Sequence, residues 1–167
     1  NIQGQPTWYT IRVSKDGYTA RSEEHEIVVA MNPVTITEDI EDVVSGGVLF
    51  YADHIKLPIE RDDITKYPVP AKQLAKESDA PPRLRDYVAN MAYVGVMAEM
   101  LGIDLAKIKE ALEDHFEGKE NPVRLNMNVI ENAMAWAKEN LTKEDNYFIE
   151  PMDLTSNCIL IEGNTAG

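Results

Sequence analysis

The stretch Glu26-Ile27-Val28-Val29-Ala30-Met31-Asn32-Pro33 decides the fold class of this chain. The apolar run over 27–31 is too short for an ordinary helix, and it lacks the alternation of a strand that is exposed on one face. Such a run predicts a strand covered on both faces, which is typical of parallel sheets in α/β proteins. Pro33 has no backbone N–H and disfavours helical geometry at Asn32, so the strand must end there.

A second apolar run, Val48-Leu49-Phe50-Tyr51, follows a short predicted helix that begins at Thr35 or Thr37 and continues through Val44. We expect Ser45-Gly46-Gly47 to end that helix, because glycine adopts the left-handed conformation of a C-cap. Strand, helix, strand is the crossover unit of a parallel sheet. Ligands of such sheets bind beyond the carboxyl ends of the strands, which places a candidate site near Asn32-Pro33 and Ala52-Asp53.

Further strands are predicted before and after this unit in the sequence. Trp8–Ser14 is rich in aromatic and β-branched residues, and the Asp-Gly turn after it favours a hairpin that returns through Tyr18–Arg21. Tyr67–Pro70 contains two prolines and predicts a short edge strand, followed by a helix over 71–77. The predicted fold is therefore an α/β three-layer sandwich with a mostly parallel, mixed sheet.

The second half of the chain is predicted to be mainly helical. Gly102 ends the first helix of this half, which we expect to be the longest, and Asp104 caps the second. A surface connection over 144–157 and a last strand, Cys158–Ile161, are expected to follow. Each of the three helices carries an apolar stripe at helical spacing: Pro81–Leu101, Leu105–Phe116 and Asn121–Leu141.

Composition excludes several classes of protein. The chain has 167 residues, 44% of them hydrophobic, which indicates one globular domain. Its formal net charge of −13 repels phosphate backbones and argues against nucleic acid as a general partner. No apolar run could span a bilayer and no signal peptide is recognisable, so we expect a cytoplasmic protein without a membrane partner. The single cysteine and three scattered histidines predict no metal site, and no catalytic motif is recognisable.

Several segments, in this order, resemble the gamma domain of 2-oxoacid:ferredoxin oxidoreductases: Asn1–Ser14, Val28–Pro33, Gly46–Leu49 and Arg85–Met91. The closing Ile161–Gly167 resembles the opening of that family's alpha, pyrimidine-binding domain. A gamma domain fused directly to an alpha domain is the arrangement of the alpha subunit of 2-oxoglutarate:ferredoxin oxidoreductase. The resemblance thus implies a gamma-like domain over 1–154, lacking its N-terminal glycine-rich part, and the start of the alpha domain over 155–167.

The resemblance implies an enzyme that oxidatively decarboxylates a 2-oxoacid, here 2-oxoglutarate, to an acyl-CoA and passes the electrons to ferredoxin. Thiamine diphosphate and magnesium then belong to the alpha and beta domains, and iron–sulfur clusters to other subunits or to ferredoxin. This piece is expected to bind none of them tightly and to be inactive alone. Its implied roles are subunit assembly with the beta subunit and the remainder of the alpha subunit, and closure over coenzyme A. The predicted ligand-binding residues are Gln3, Gly4, Arg12, Asn32, Pro33, Gly46 and Gly47.

A second class stays open, namely a stand-alone α/β nucleotide-binding or interaction module without redox activity. A glycine-rich loop upstream and a continuing pyrimidine-binding domain downstream would favour the oxidoreductase, whereas a stop codon at 167 would favour the module. A hydrolase would need a nucleophile beside a base, and the separated histidines argue against it.

Overall fold

A parallel sheet of three strands organises the chain, in the order β1 (His25–Ala30), β2 (Val43–Ala52), β3 (Thr65–Val69). The computed structural model describes residues 6–17, 20 and 23–152. Val48, Leu49 and Phe50 of the central strand are all 0% exposed. Successive side chains of a strand point to opposite faces, so β2 is covered on both sides. The predicted α/β class with a mostly parallel sheet is confirmed.

The helices surround this sheet, and they follow the strands in the chain. A short helix joins β1 to β2, and the next helix follows β3 directly, at the residues predicted for it. No helix in the described part of the chain is both long and apolar enough to cross a membrane. The helices are α1 (Ile36–Glu41), α2 (Ala71–Glu77), a 3-10 turn (Pro82–Leu84), α3 (Arg85–Val88), α4 (Met91–Leu101), α5 (Leu105–His115) and α6 (Glu120–Asn140).

The prediction of a strand over Trp8–Ser14 is wrong, because residues 6–14 have no regular secondary structure. Propensity alone does not form a strand where no neighbouring strand pairs with it. The segment is instead attached to α1, where the Trp8 indole N–H donates to the buried Asp39 carboxylate at 2.8 Å. The turn at Lys15–Asp16 is present, but most of the predicted return strand, Tyr18–Arg21, lies outside the described residues.

The predicted glycine cap of the first helix is also wrong. Helix α1 ends at Glu41 rather than Val44, and Ser45-Gly46-Gly47 lies inside β2. The register between the two strands is irregular there, since His25 pairs with Val43 but Ile27 pairs with Val48. Glycine is required for this bulge, because Gly46 has φ 80 and a Cβ on Gly47 would lie 2.8 Å from the Glu26 carbonyl oxygen.

Arg61 does the capping that the glycines were expected to do. Its Nη1 group donates to the carbonyl oxygens of Ile40, at 3.0 Å, and Val43, at 2.7 Å. The same guanidinium is paired with Asp63, and this hydrogen bond is the main cause that lowers the pKa of the Asp63 carboxyl to about 2. A positive charge at a helix C-terminus is favourable, so Arg61 ties the irregular 53–64 connection to the end of α1.

The predicted helix over Pro81–Leu101 is divided into the 3-10 turn, α3 and α4, and the longest helix is α6. At the break, the N–H groups of Ala92 and Tyr93 bond the carbonyls only three residues before them, those of Ala89 and Asn90. No glycine or proline lies within 83–94 to signal such a break. The predicted end at Gly102 and the cap by Asp104, which accepts from the Ala106 N–H at 2.8 Å, are confirmed.

Helices α4 and α6 approach each other closely at Gly95. A Cβ built on Gly95 would lie 2.6 Å from the Ala133 Cβ and against the Ile130 carbonyl group. Ala92, Val96 and Val129 beside them are all 0% exposed. The contact of the two backbones therefore depends on the absence of a side chain at position 95.

We expect Gly95→Ala to lower the free energy of unfolding by about 1–3 kcal/mol, because the added methyl forces the two helices apart. Urea denaturation measures the change. Glu131→Ala, at an exposed position of α6, is the control and should change stability by less than about 0.5 kcal/mol. A Gly95→Ala protein as stable as the wild type would contradict the close approach.

Candidate functional site

A cleft of about 240 Å³ lies beyond the carboxyl ends of all three strands. One side is formed by Met31 after β1, by His54 after β2, and by Ala71 and Lys72 at the start of α2. The other side comes from the divided helix. We call this the carboxyl-end cleft; its lining residues are Met31, His54, Ala71, Lys72, Asp86, Ala89, Asn90 and Tyr93.

The carboxyl-end cleft offers polar groups with few partners of their own. Within the described residues, Lys72 forms no ion pair, and the side chains of Asp86 and Asn90 make no hydrogen bond. The His54 imidazole lies 3.6 Å from the Asp53 carboxylate. An ammonium group, an imidazole and an amide in one cleft can bind an anionic group of a ligand by charge and hydrogen bonds.

Tyr93 forms a buried part of the cleft and is only 4% exposed. Burial, with the negative charge of Asp53 as a second cause, raises the pKa of Tyr93 to about 12. Burial and Asp53 also raise the pKa of Tyr51 in β2. The two phenols are therefore neutral at pH 7, so neither adds a negative charge at this end of the sheet.

The predicted ligand-binding residues do not lie in one place. Asn32 and Pro33 follow Met31 at the carboxyl end of β1, where the Asn32 Oδ1 accepts from the Val34 N–H at 3.0 Å. Gly46 and Gly47 lie towards the opposite end, because Ile27 pairs with Val48. Asn32 is five residues beyond Ile27, which corresponds to roughly 16 Å of extended chain. Gln3 and Gly4 lie outside the described residues.

Arg12 lies beside a second cleft, of about 320 Å³, along the edge of β1. Glu26 lines this cleft and its carbonyl oxygen lies beside Gly47, so Arg12 and Gly47 are at the same end of the sheet, away from Asn32. We call it the β1-edge cleft; its lining residues are Thr10, Ile11, Arg12, Val13, Glu24, His25, Glu26, Ile27, Leu101, Tyr147, Phe148 and Ile149.

Thiamine diphosphate, which the resemblance implies for the complete enzyme, needs a bound metal ion. Its diphosphate group is held through a magnesium ion that needs several oxygen ligands. Among residues 6–17, 20 and 23–152, no group of three or more His, Cys, Asp or Glu side chains could hold a metal ion.

Sequence reasoning missed four residues of the carboxyl-end cleft: Lys72, Asp86, Asn90 and Tyr93. The rule that ligands bind at the carboxyl ends of strands could have found Lys72, because β3 was predicted to end just before it. Asp86 and Asn90 could not be found in this way, because the break that brings them to the cleft has no sequence signal.

The fold and the site define a parallel α/β domain with a polar cleft at the carboxyl ends of its strands. Residues 1–136 match the family described as pyruvate ferredoxin/flavodoxin oxidoreductase. The chain belongs to this family.

Two related proteins are consistent with this family membership. The chain is 28% identical over 121 residues to the ketoisovalerate oxidoreductase subunit VorA of Methanothermobacter thermautotrophicus, and equally to that of Methanothermobacter marburgensis. The match covers 71% of this chain and 24% of each relative, so the chain spans about a quarter of their length. The chain is thus homologous to subunits of 2-oxoacid:ferredoxin oxidoreductases.

Two solved structures are similar to the chain. One is 2-oxoglutarate:ferredoxin oxidoreductase from Magnetococcus marinus with 2-oxoglutarate, coenzyme A and succinyl-CoA bound, at 26% identity and a TM-score of 0.60 over 75% of this chain and 22% of that one. The other is the gamma subunit of a keto/oxoacid ferredoxin oxidoreductase from Geobacter sulfurreducens, at 21% identity and a TM-score of 0.53 over 68% of this chain and 64% of that one. The second likeness shows the shared gamma-type fold.

Stability should fall as pH rises from 10 to 12, partly because of Tyr93. The folded protein keeps the phenol proton to about pH 12, whereas the unfolded chain loses it near pH 10, so the unfolded state gains stability in this window. Tyr93 should account for roughly 2 kcal/mol of the free energy of unfolding that is lost by pH 12. Tyr93→Phe should therefore show a loss smaller by that amount in urea titrations at stepped pH. Tyr87→Phe, at a tyrosine that is 80% exposed, is the control. Equal pH slopes for the wild type and Tyr93→Phe would contradict the burial of this phenol.

Proposed function

We propose that this chain is part of the alpha subunit of a thiamine-diphosphate-dependent 2-oxoglutarate:ferredoxin oxidoreductase. Residues 1–154 form its gamma-like domain, and 155–167 begin the pyrimidine-binding domain. The enzyme converts a 2-oxoacid and coenzyme A to an acyl-CoA and reduces ferredoxin. The family match over residues 1–136 is the observation that carries this proposal.

Within this enzyme, the domain contributes to closure over coenzyme A. The related Magnetococcus marinus enzyme has coenzyme A bound, and this chain is 26% identical to the 22% of that enzyme chain that it matches. Coenzyme A carries several phosphates, and Lys72 in the carboxyl-end cleft is a cation without an ion-pair partner among the described residues. Lys72, with His54 and Asn90, therefore provides the contact to a phosphate group. Of the residues predicted from the sequence, Asn32 and Pro33 are the ones at this end of the sheet.

The second role is assembly with the beta subunit and the remainder of the alpha subunit. Large apolar side chains are exposed close to Met31 of the carboxyl-end cleft and along the 8–13 segment, which is typical of surfaces that contact another chain. They include Val34 and Tyr87, each 80% exposed, and Tyr9 and Ile11, 91% and 74% exposed. The enzyme is cytoplasmic, and its thiamine diphosphate, magnesium and iron–sulfur clusters are held outside this domain.

Two alternatives compete with this proposal. The VorA relatives are named for ketoisovalerate, so a branched-chain 2-oxoacid is the alternative to 2-oxoglutarate. The resemblance of Ile161–Gly167 to a fused alpha domain favours 2-oxoglutarate. A stand-alone nucleotide-binding module would use the same carboxyl-end cleft without any redox partner.

Calorimetry on the 167-residue chain tests the division of roles. We expect coenzyme A to bind weakly, with thiamine diphosphate and magnesium giving no heat, because a site for the latter needs ligands from two domains. Sub-micromolar thiamine diphosphate binding would overturn the proposal. Turnover of 2-oxoglutarate and of ketoisovalerate by the complete assembly decides the substrate.

Substitutions at the cleft locate the coenzyme A contact. Lys72→Met should weaken coenzyme A binding about 5- to 50-fold, because it removes a charge-assisted contact. Lys76→Met, on the same helix but outside the cleft lining, is the matched control and should change affinity little. Asn32→Ala and Arg12→Ala test the residues predicted from the sequence. Binding unchanged by Lys72→Met, Asn32→Ala and Arg12→Ala would remove this site but leave the family membership intact.

A further inference from the structure

Residues 141–149, which follow α6, have no helix or strand, yet they are firmly attached to the domain. We call this segment the strap. It was expected to be part of a surface connection, and Glu144, Asn146 and Phe148 are indeed exposed. Asp145, however, has a side chain that is 0% exposed. A fully buried carboxylate in an irregular segment requires partners that compensate its charge.

Lys143 is the first partner. Its Nζ donates to the Asp145 Oδ1 at 2.7 Å, to the Tyr147 carbonyl at 2.6 Å and to the Met100 carbonyl at 2.5 Å. Met100 is in the last turn of α4, where carbonyl groups lack helical partners and a positive charge is favourable. One ammonium group thus closes the strap on itself and fastens it to the end of α4.

Tyr67 of β3 is the second partner. Its hydroxyl donates to the Asp145 Oδ2 at 2.6 Å and accepts from the Glu144 N–H at 3.0 Å. The Tyr67 ring packs against Phe50, with ring centroids 5.2 Å apart, so the hydroxyl is held by the core of the sheet. The Tyr147 N–H also donates to Asp145, at 2.8 Å.

The strap ends at the β1-edge cleft. The Ile149 N–H donates to the Leu101 carbonyl at 2.8 Å, and Tyr147, Phe148 and Ile149 form one wall of the cleft. Ile27 of β1 also lines this cleft. We therefore expect displacement of the strap to widen this cleft beside β1.

We propose that the strap is a latch, closed by Tyr67, Asp145 and Lys143, that controls access to the β1-edge cleft. The three side chains act as one unit because the buried carboxylate is tolerable only with its partners in place. Loss of one partner leaves a desolvated charge, which is relieved when the whole strap moves into water. The latch is thus closed or released as a segment, while the helices and the sheet stay folded. This proposal does not depend on the proposed function.

Amide hydrogen exchange on the full chain tests the latch. Tyr67→Phe keeps the ring in the core but removes the hydroxyl. Asp145→Asn keeps the shape but replaces one accepting oxygen with an amide donor, which then faces the Tyr67 hydroxyl or the Lys143 ammonium. Both should accelerate exchange at the Tyr147 and Ile149 amides about 10- to 100-fold, although neither substituted atom contacts Ile149. Amides in the core of α6 should be unchanged, and Tyr87→Phe is the matched control.

Two other results would overturn the latch. Acceleration at Glu144 and Tyr147 alone, with Ile149 unchanged, would mean independent contacts rather than one unit. Equal acceleration in the strap and in α6 would mean that the network is an inseparable part of the core.

Proteolysis and thiol labelling give independent readouts. Lys143 is the last lysine or arginine of the chain, so trypsin can release 144–167 only after the strap leaves its Lys143 contacts. Tyr67→Phe should accelerate this cleavage, detected by mass spectrometry. In a Cys158→Ser background, an Ile27→Cys thiol should react faster with a maleimide when Tyr67→Phe is present. Unchanged cleavage and labelling rates in Tyr67→Phe would each contradict the proposal.

Discussion

The complete burial of β2 on both faces is the constraint on which the rest of the structure depends. Val48, Leu49 and Phe50 have no contact with water, so every neighbouring element must supply apolar atoms to one face or the other. The parallel arrangement adds a second demand, since each strand must be reached from the far end of the sheet by a crossover. Arg61 holds one such connection in place: it lies in the irregular crossover between β2 and β3 and bonds to carbonyl oxygens at the end of α1.

This constraint also determines where polar groups gather. Because the strands are buried, the polar residues that follow them in the chain lie at the ends of the sheet. Asp53, His54 and Lys72 lie at the carboxyl edge in this way. The divided helix adds Asp86 and Asn90 there. Asp145 is the exception, as a charge buried close to the sheet. It is tolerated because Lys143, Tyr67 and the Tyr147 N–H satisfy both of its oxygens. A family domain that spans about a quarter of its relatives thus has a polar cleft and an attached strap within its own residues.

Local signals predicted a large part of the fold. Predictions that depend only on residues close together in the chain are confirmed. They are the β1 and β2 strands, the short proline-containing strand β3, the helix over 71–77, the helix end at Gly102 and the helix cap by Asp104. The Trp8–Ser14 strand is wrong because a strand needs a partner, which residue propensity cannot supply. The glycine pair at 46–47 was assigned to a cap, because a bulge and a cap require the same left-handed freedom and only strand pairing distinguishes them.

For the candidate site too, local sequence signals predicted one part and the tertiary structure determined the other. The sequence by itself determined the fold class, the family resemblance and the edge of the sheet where we expect a ligand, because hydrophobic period and turn residues act over a few positions. Only the tertiary structure decided which side chains meet at that edge. It separated Asn32 from Gly46 and Gly47 by the register of β1 on β2, brought Lys72 to Asn90, and joined Asp145 to Tyr67 across 78 positions of the chain. Such contacts arise from the packing of remote segments on one core, and no local pattern of residues encodes them.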